Sequence, residues 1–410
     1  KMLDWLTVVF LFYSFVALYF MFMYLLIYIP NRQKFFSYPK PDREYGLSIV
    51  VPCYNEEKNI GNTIKALLEV NYKNLKRIII VDDCSTDNSY AIIKKYASKY
   101  FKIMAVQTPK NTGNAAGAKN YGSKFVNTEL IGFTDADSYP LKNSVMRMVG
   151  FFNKENVAAV TSMILVKRRK QLIENLQAIE YKIISFTRKL LSFVGAVYVT
   201  PGPLAIYRKK AYDSVGGFDA KNLTEDIEIT WHLVSKGYDV KMSVPARVYT
   251  VAPRKVKDWF KQRIRWNLGG VQSMNKYKKS LLSRNMLGSF ILPFFIFSWF
   301  IGIFGLMVLF YRVIRLFIVR YLSTLYSVQA ETAILRLSEI NLTPNILLFF
   351  GLTLVIFSFT FTMLALRHSK EEIIKDGVLN IFIYMFFYLL SYPLILIISL
   401  YKFSRGKSSW

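Results

Sequence analysis

Cysteine is nearly absent: Cys53 and Cys84 are the two in 410 residues. Each stands beside a strand-end motif and in no metal or redox spacing, which excludes a disulfide framework or thiolate metal centre. The pair reads as reduced thiols of a cytosolic domain, with a disulfide as the lesser alternative. Acidic residues are the second shortage, 27 against 54 Lys and Arg. That balance implies an anionic partner: nucleic acid, lipid headgroups or phosphorylated substrates. The basic excess gathers at Lys167 to Lys170 and from Arg254 to Arg284, beside apolar and aromatic residues and, in the second case, just before a long apolar run. This layout selects a lipid surface and phosphate and argues against nucleic acid. Walker and dinucleotide glycine fingerprints are missing too. The small-residue loop Asn111 to Gly117 reads equally as a close backbone approach to a ligand or as a tight turn before a helix.

Charge is also scarce in four long stretches. Trp5 to Ile29 is long enough to cross about 30 Å of hydrocarbon, and it ends in Tyr28-Ile29-Pro30 rather than the small residues of a signal-peptide cleavage site. Met286 to Phe310, Ile346 to Leu366 and Val378 to Leu400 are three further candidates. Between the first two of these, Arg312 to Glu339 alternates arginines with apolar residues. It is either an amphipathic surface helix or the continuation of a longer span. A soluble domain rich in Lys and Arg belongs in the cytoplasm of a multi-pass cell-membrane protein. With four spans both termini then lie outside, which suits the basic tail Lys402, Arg405 and Lys407 poorly. The expected division is an N-terminal span over 1–30, a linker over 31–46, a soluble domain with interfacial helices over 47–285, and a bundle of about three helices over 286–402.

Within the soluble part the hydrophobic period alternates. Leu47 to Pro52, Lys76 to Val81, Phe101 to Val106 and Leu130 to Phe133 read as strands; Glu57 to Val70, Thr86 to Tyr100 and Ala115 to Phe125 read as helices. That is the pattern of βαβ units in a parallel sheet, whose ligands sit beyond the carboxyl ends of the strands. Those ends carry Pro52-Cys53-Tyr54-Asn55-Glu56-Glu57, Asp82-Asp83-Cys84-Ser85-Thr86-Asp87 and Asp135-Ala136-Asp137. A lone Asp87 or Asn55 is as readily a helix cap. Three acidic strand ends on one edge repel each other unless a cation compensates, which points to a divalent metal shared with a phosphorylated ligand.

Further on, Leu172, Leu176, Ile179, Ile183, Phe186, Leu190 and Val194 mark one helix stripe with Lys182, Arg188 and Lys189 off it. It is either packed in a core or laid on a membrane. Pro201-Gly202-Pro203 precedes Thr224-Glu225-Asp226, which by itself is a helix start capped by Thr224. A helix from Val256 to Leu268 places Gln262, Arg265 and Trp266 on one face, opposite Val256, Phe260, Ile264 and Leu268. An interfacial helix of that kind presents its polar face to a pocket.

Taken in order, Val51-Pro52-x-Tyr54-Asn55-Glu56, Asp82-Asp83-x-Ser85-x-Asp87, Asp135-x-Asp137, Thr224-Glu225-Asp226 and Gln262-x-x-Arg265-Trp266 resemble the membrane-embedded family 2 glycosyltransferases, which include cellulose, chitin, hyaluronan and poly-N-acetylglucosamine synthases. The resemblance covers roughly residues 47 to 270. It implies an α/β fold of the GT-A, Rossmann-like type combined with transmembrane helices. The activity it implies is inverting transfer from a nucleotide diphosphate sugar, taken as UDP-linked, to a growing polysaccharide. Carried over, Pro52, Tyr54, Asn55 and Glu56 line the nucleotide-sugar side, and Asp82 or Asp83 holds the base. Asp135 and Asp137 meet the ribose and a Mg2+ or Mn2+ ion. Asp226 is the general base, with Glu225 beside it in the catalytic pair. Gln262, Arg265 and Trp266 bind diphosphate and acceptor sugar, and Gly202-Pro203 resembles an acceptor-side loop. The chemistry agrees: a sugar hydroxyl needs a carboxylate to take its proton, and an Arg fork suits the departing diphosphate. Three C-terminal spans make a small bundle for a polymer channel, so synthesis is better supported than secretion. Two other readings stay open: transfer of one sugar to a polyprenyl phosphate or other lipid acceptor, and a catalytically inactive nucleotide-sugar sensor or channel component that retains the fold.

Overall fold

The computed structural model describes residues 5–331, 346–371 and 376–406. An apolar helix α1 (Trp5–Asn31) leads into the alternation β1 (Leu47–Cys53), α2 (Ile60–Leu68), β2 (Leu75–Asp82), α3 (Ser89–Lys99), β3 (Ile103–Gln107), α4 (Ala115–Ser123) and β4 (Leu130–Phe133). Each lies within a residue or three of the bounds its sequence pattern predicts. β1, β2, β3 and β4 run parallel, with Cys53 level with Asp82, Asp82 with Gln107 and Val50 with Phe133, so their carboxyl ends share one edge. Every residue of β1 is buried, because helices cover both faces of this part of the sheet. Val50 joins Val81, Phe133, Tyr212 and Trp231 on one face, while Ile49 and Val51 join Ile60, Ile64 and Leu67 on the other, as the two-residue period of a strand requires.

The second half departs from the sequence reading, which contained no strand after Phe133. The chain forms β5 (Ser138–Pro140), the short helix α5 (Met146–Val149), β6 (Val157–Val166), α6 (Leu172–Phe193), β7 (Ala205–Arg208), α7 (Lys209–Ser214), α8 (Glu225–Ser235) and β8 (Asp239–Thr250). These strands turn the sheet mixed, in the order β3-β2-β1-β4-β7-β6-β8-β5, with β7 antiparallel to both β4 and β6. β6 hides for a physical reason: all ten of its residues are buried, so no polar alternation marks it. β8 hides because Pro245 interrupts it. The register with β6 jumps from Ser162–Ser243 to Met163–Arg247, a bulge that accommodates a residue with no N–H to donate.

α9 (Val256–Tyr277) extends nine residues beyond the expected Leu268. Then come α10 (Leu292–Gln329), α11 (Ile346–His368), α12 (Val378–Ile383), a π turn at Tyr384–Tyr388 and α13 (Ser391–Ser404). Among the described residues, four segments are long and apolar enough to cross a membrane: Thr7–Lys34, Leu287–Gln329, Phe349–His368 and Val378–Ser404. Of the two readings for the arginine-bearing stretch after Phe310, the longer helix holds as far as Gln329; Arg336 and Glu339 lie outside the described residues, as does Lys407. The 38 residues of α10 span about 57 Å at about 1.5 Å per residue, well beyond about 30 Å of hydrocarbon. Around α6 the core-packed alternative prevails over most of its length: Glu180, Lys182, Arg188 and Lys189 are buried along with Leu176, Ile179, Phe186 and Leu190 of the apolar stripe, while its end residues Leu172 and Val194 stay exposed.

The residues between α1 and β1 are anchored on the domain. Phe35 and Tyr45 are buried, and Asn153 bonds to the backbone of Lys40 (2.9 Å) and Asp42 (3.2 Å). Gly150 completes the contact, since a Cβ there would overlap the carbonyl of Pro39. Because the obstacle is backbone, Gly150→Ala is expected to cost about 1–3 kcal/mol, read as a lower thermal midpoint of the detergent-purified protein.

Candidate functional site

The loops after β1 and β2 are clasped to each other. Asn55 adopts φ 53°, and its side-chain carbonyl accepts the Thr86 amide at 2.8 Å while its own amide donates to Ser85 at 3.0 Å. The amides of Glu56 and Glu57 donate to Ser89 (2.8 Å) and Asp87 (3.1 Å). Burial opposes ionisation of Asp87, but the Ser89 hydroxyl and backbone amides hold its carboxyl below the usual range. Asp87 thus serves as a loop clasp, close to the cap that its position suggests. Pro52 is buried within β1, and Tyr54 is half exposed at the rim.

Asp82 and Asp83, adjacent in sequence, differ in what they leave free. Asp83 is buried and saturated by Thr108 Oγ1 (2.8 Å), the Thr112 amide (3.0 Å) and Thr112 Oγ1 (2.8 Å). Asp82 takes Gln107 Nε2 (2.9 Å) and the Ser85 amide (3.2 Å) on Oδ2, leaving its buried Oδ1 without a partner among the described residues. An unsatisfied buried acceptor is costly, and a ligand N–H would complete it. In the neighbouring small-residue loop, Gly113 sits at φ 84° and the Asn114 side chain accepts the Gly117 amide at 3.0 Å, so this loop is the turn and cap of α4.

Beyond β4 the acidic groups converge on one buried cation. Lys119, 2% exposed, reaches up from α4 to pair with Glu225 at 2.8 Å and lies 3.7 Å from Asp135. Burial disfavours the charged amine, yet Glu225, Asp135 and then Asp226 raise its pKa. Burial likewise opposes ionisation of Glu225, and Lys119 overcomes it, so this carboxyl falls below its ordinary value. Asp226, next in the chain, fares otherwise: burial and then the Glu225 charge push it up to about 6, against Lys119 and Arg265. Its Oδ1 accepts the Ile227 amide at 2.9 Å at the start of α8. Asp135 is raised by burial and Glu225 against Lys119 and Arg265. Asp137 rises to about 7 through burial, Asp135 and Glu56.

Gly202 fits this cluster because it has no side chain. A Cβ there would overlap the Asp135 carboxylate, and Thr134 Oγ1 donates to the Pro203 carbonyl, which ties the 201–203 loop to the end of β4. Thr224 gives no side-chain cap to α8. Its amide instead donates to Asn222 at 2.9 Å, and α9 crosses over it at Gly269, where a Cβ would overlap Thr224. α9 thereby brings Arg265 within electrostatic range of Asp135, Glu225 and Asp226. Trp266 stacks on Tyr181 (centroids 6.5 Å), and Gln262 accepts from Arg263 at 2.6 Å. Lys119 and Arg263 were missed at the sequence level. The one available signal for Lys119 was a single charge in the stretch Ala115 to Gly122.

Asp135 and Asp137 suit a hard divalent ion, which would offset the burial and neighbouring negative charge that raise both. Among the described residues no three His, Cys, Asp or Glu side chains gather to enclose a metal, so oxygens of a bound ligand would have to complete its shell.

The family model described as "Glycosyl transferase family 2" matches residues 48–216. A poly-beta-1,6-N-acetyl-D-glucosamine synthase from Staphylococcus epidermidis is 29% identical over 252 residues, 61% of this chain and 60% of that protein. The synthase of the same name from Staphylococcus aureus (strain COL) is 29% identical over 63% of this chain and 64% of its own length. The chain thus matches somewhat under two thirds of these curated relatives. A solved mannosyltransferase from Pyrobaculum calidifontis, in complex with GDP-Man and Mn2+, superposes with TM-score 0.57 at 17% identity, covering 95% of this chain and 97% of that one. The mixed α/β sheet domain is therefore the GT-A fold, and the apolar helices are joined to it.

Lys119→Met leaves Glu225, Asp135 and Asp226 around an uncharged side chain. Breaking a buried pair in this way is expected to cost about 3–5 kcal/mol at neutral pH. The uncompensated carboxyls will have raised pKa values, so the variant recovers stability as pH falls and they protonate, and loses it as pH rises. Thermal unfolding between pH 5 and 8 checks the sign.

Proposed function

We propose that this chain, which carries a glycosyl transferase family 2 domain, transfers a sugar from a nucleotide diphosphate donor to a growing polysaccharide at a membrane. The observation that supports it best is the convergence of Asp135, Glu225 and Asp226 around Lys119 at the carboxyl edge of the sheet, with Arg265 facing the same carboxylates. We take the donor as UDP-linked, the catalytic domain as cytoplasmic, the protein as multi-pass, and transfer as inverting and processive. We also keep the division into an N-terminal span, linker, catalytic domain and C-terminal bundle.

In this reading the unused oxygen of Asp82 receives the base N–H, while Pro52, Tyr54, Asn55 and Glu56 form the wall of the nucleotide pocket. Asp83 acts through the Thr108–Thr112 loop that it holds. Asp135 and Asp137 would hold Mg2+ or Mn2+, which when bound supplies positive charge to the donor diphosphate. The acceptor hydroxyl loses its proton to Asp226 as its oxygen bonds to the anomeric carbon. The bond from that carbon to the diphosphate breaks, and the nucleotide diphosphate leaves with the electron pair on the face opposite attack, opposed by the charge of Arg265. Glu225 does not take the proton itself: paired with Lys119, it stays ionised and raises its neighbour toward the working pH. Gly202, Pro203, Gln262 and Trp266 form the acceptor side.

Asp226→Asn should lower transfer by about 10²–10⁴-fold with donor affinity retained, measured by labelled-sugar incorporation and nucleotide binding across a panel of nucleotide sugars. Lost donor binding would reassign the residue. Products carrying a single sugar on lipid would replace the polymer with a lipid acceptor. The pH profile has a stated sign as well. A base pushed up to about 6 is protonated below that pH, so kcat/KM should fall about tenfold per unit on the acid side, and this limb should disappear from the residual activity of the Asn variant.

A further inference from the structure

Gln262 and Trp266 are gripped from behind by the side chain between them. Arg263 is fully buried. Its guanidinium lies 4.0 Å from the Trp266 ring centroid, Nη1 donates to Gln262 Oε1 at 2.6 Å, and Nε donates to the Tyr392 hydroxyl at 3.1 Å. Nη2 pairs with Glu180 of α6 and donates to the Tyr388 hydroxyl at 3.3 Å. That hydroxyl also accepts Trp259 Nε1 at 2.6 Å and donates to Glu180 Oε2 at 2.8 Å. One oxygen from the C-terminal apolar segment therefore joins α6 to α9.

Three observations argue for a role beyond adhesion. A buried ion pair is weak as a source of stability, and its best-attested use is to fix geometry. Tyr388 belongs to the π turn Tyr384–Tyr388, a distortion that recurs at functional sites. The base of the same segment is clamped separately: on α6, Lys182 holds both carboxylate oxygens of Asp376 at 2.8 Å, and Arg169 bonds Asp376 at 3.0 Å. The start of the segment that carries Tyr388 is thus held independently of Arg263.

We propose that Glu180, Arg263 and Tyr388 are positioning residues for the acceptor end of the site: the Tyr388 hydroxyl and Glu180 orient the Arg263 guanidinium, which sets the Gln262 amide and the Trp266 ring toward the acceptor sugar. The C-terminal apolar segment is then a component of acceptor recognition as well as an anchor. This rests on the transfer reaction proposed above.

Tyr388→Phe tests it by removing one oxygen and no volume. With the donor for which the wild type releases nucleotide diphosphate, and β-1,6-linked N-acetylglucosamine oligomers as primer, the variant should show primer KM raised about tenfold, the scale of one or two hydrogen bonds, and shorter products. Donor KM and primer-independent donor hydrolysis should stay at wild-type values. Glu180→Gln should move the same parameter, and Arg263→Lys should not restore it, because an ammonium lacks the planar fork. Wild-type primer KM and product length in Tyr388→Phe would overturn the proposal. So would a parallel loss of donor affinity and thermal stability, the mark of a merely structural contact. If Tyr388→Phe does not fold, Tyr392→Phe, which removes only the Nε partner, must show the same split at smaller size. A wild type that consumes none of the nucleotide sugars would instead overturn the transfer reaction, and this inference with it.

Discussion

The arrangement depends on how one buried ammonium is shared among several carboxylates. Lys119 is paired outright with Glu225 and stands further from Asp135, so its charge is used unequally. Glu225 is satisfied, while burial first and then neighbouring carboxylates leave Asp226 raised and Asp137 more so. A second full lysine pair would have quieted the cluster and removed its affinity for further positive charge. In the function proposed above, that deficit is what leaves Asp135 and Asp137 to take a hard cation and Asp226 to accept a proton.

How much of this was legible in the sequence follows from where each residue's signal lies. Asp82 and Asp135 stand at the ends of short strands that alternate with helices, so that alternation placed them on one sheet edge. β6 and β8 were illegible, the first because burial on every side erases alternation and the second because Pro245 breaks the run. Thr224, Glu225 and Asp226 begin a helix as expected, but the helix start is secured by Asn222 and the crossing at Gly269 rather than by a Thr224 cap. Lys119 was unreadable because a lysine in a helix of small residues ordinarily faces water. Its burial is decided by Glu225, more than a hundred residues away. Arg263 was hidden in the same way, its partners Glu180 and Tyr388 coming from segments read only for their apolar residues.

The same long-range pairing bears on the boundary between soluble and apolar parts. Glu180 and Lys182 lie two residues apart on α6, on different sides of the helix, and each is paired with the C-terminal segment. Phe186, from the next turn, packs against Phe361 of α11 and Tyr28 of α1. α6 therefore carries polar bonds and aromatic packing to three apolar helices at once, while its C-terminal end leads into the loop that holds Gly202. A displacement of those helices would be felt at the carboxylate cluster through covalent chain and packed side chains alone.

The clasp among the loops after β1, β2 and β3 has a thermodynamic consequence. Asn55, Asp87 and Asp83 tie these loops together by bonds that need no ligand, so the nucleotide of the proposed reaction would meet a rim already ordered. Association then forfeits little chain freedom, and the calorimetric signature of donor binding should be a modest heat-capacity change, free of the large negative value that accompanies coupled folding.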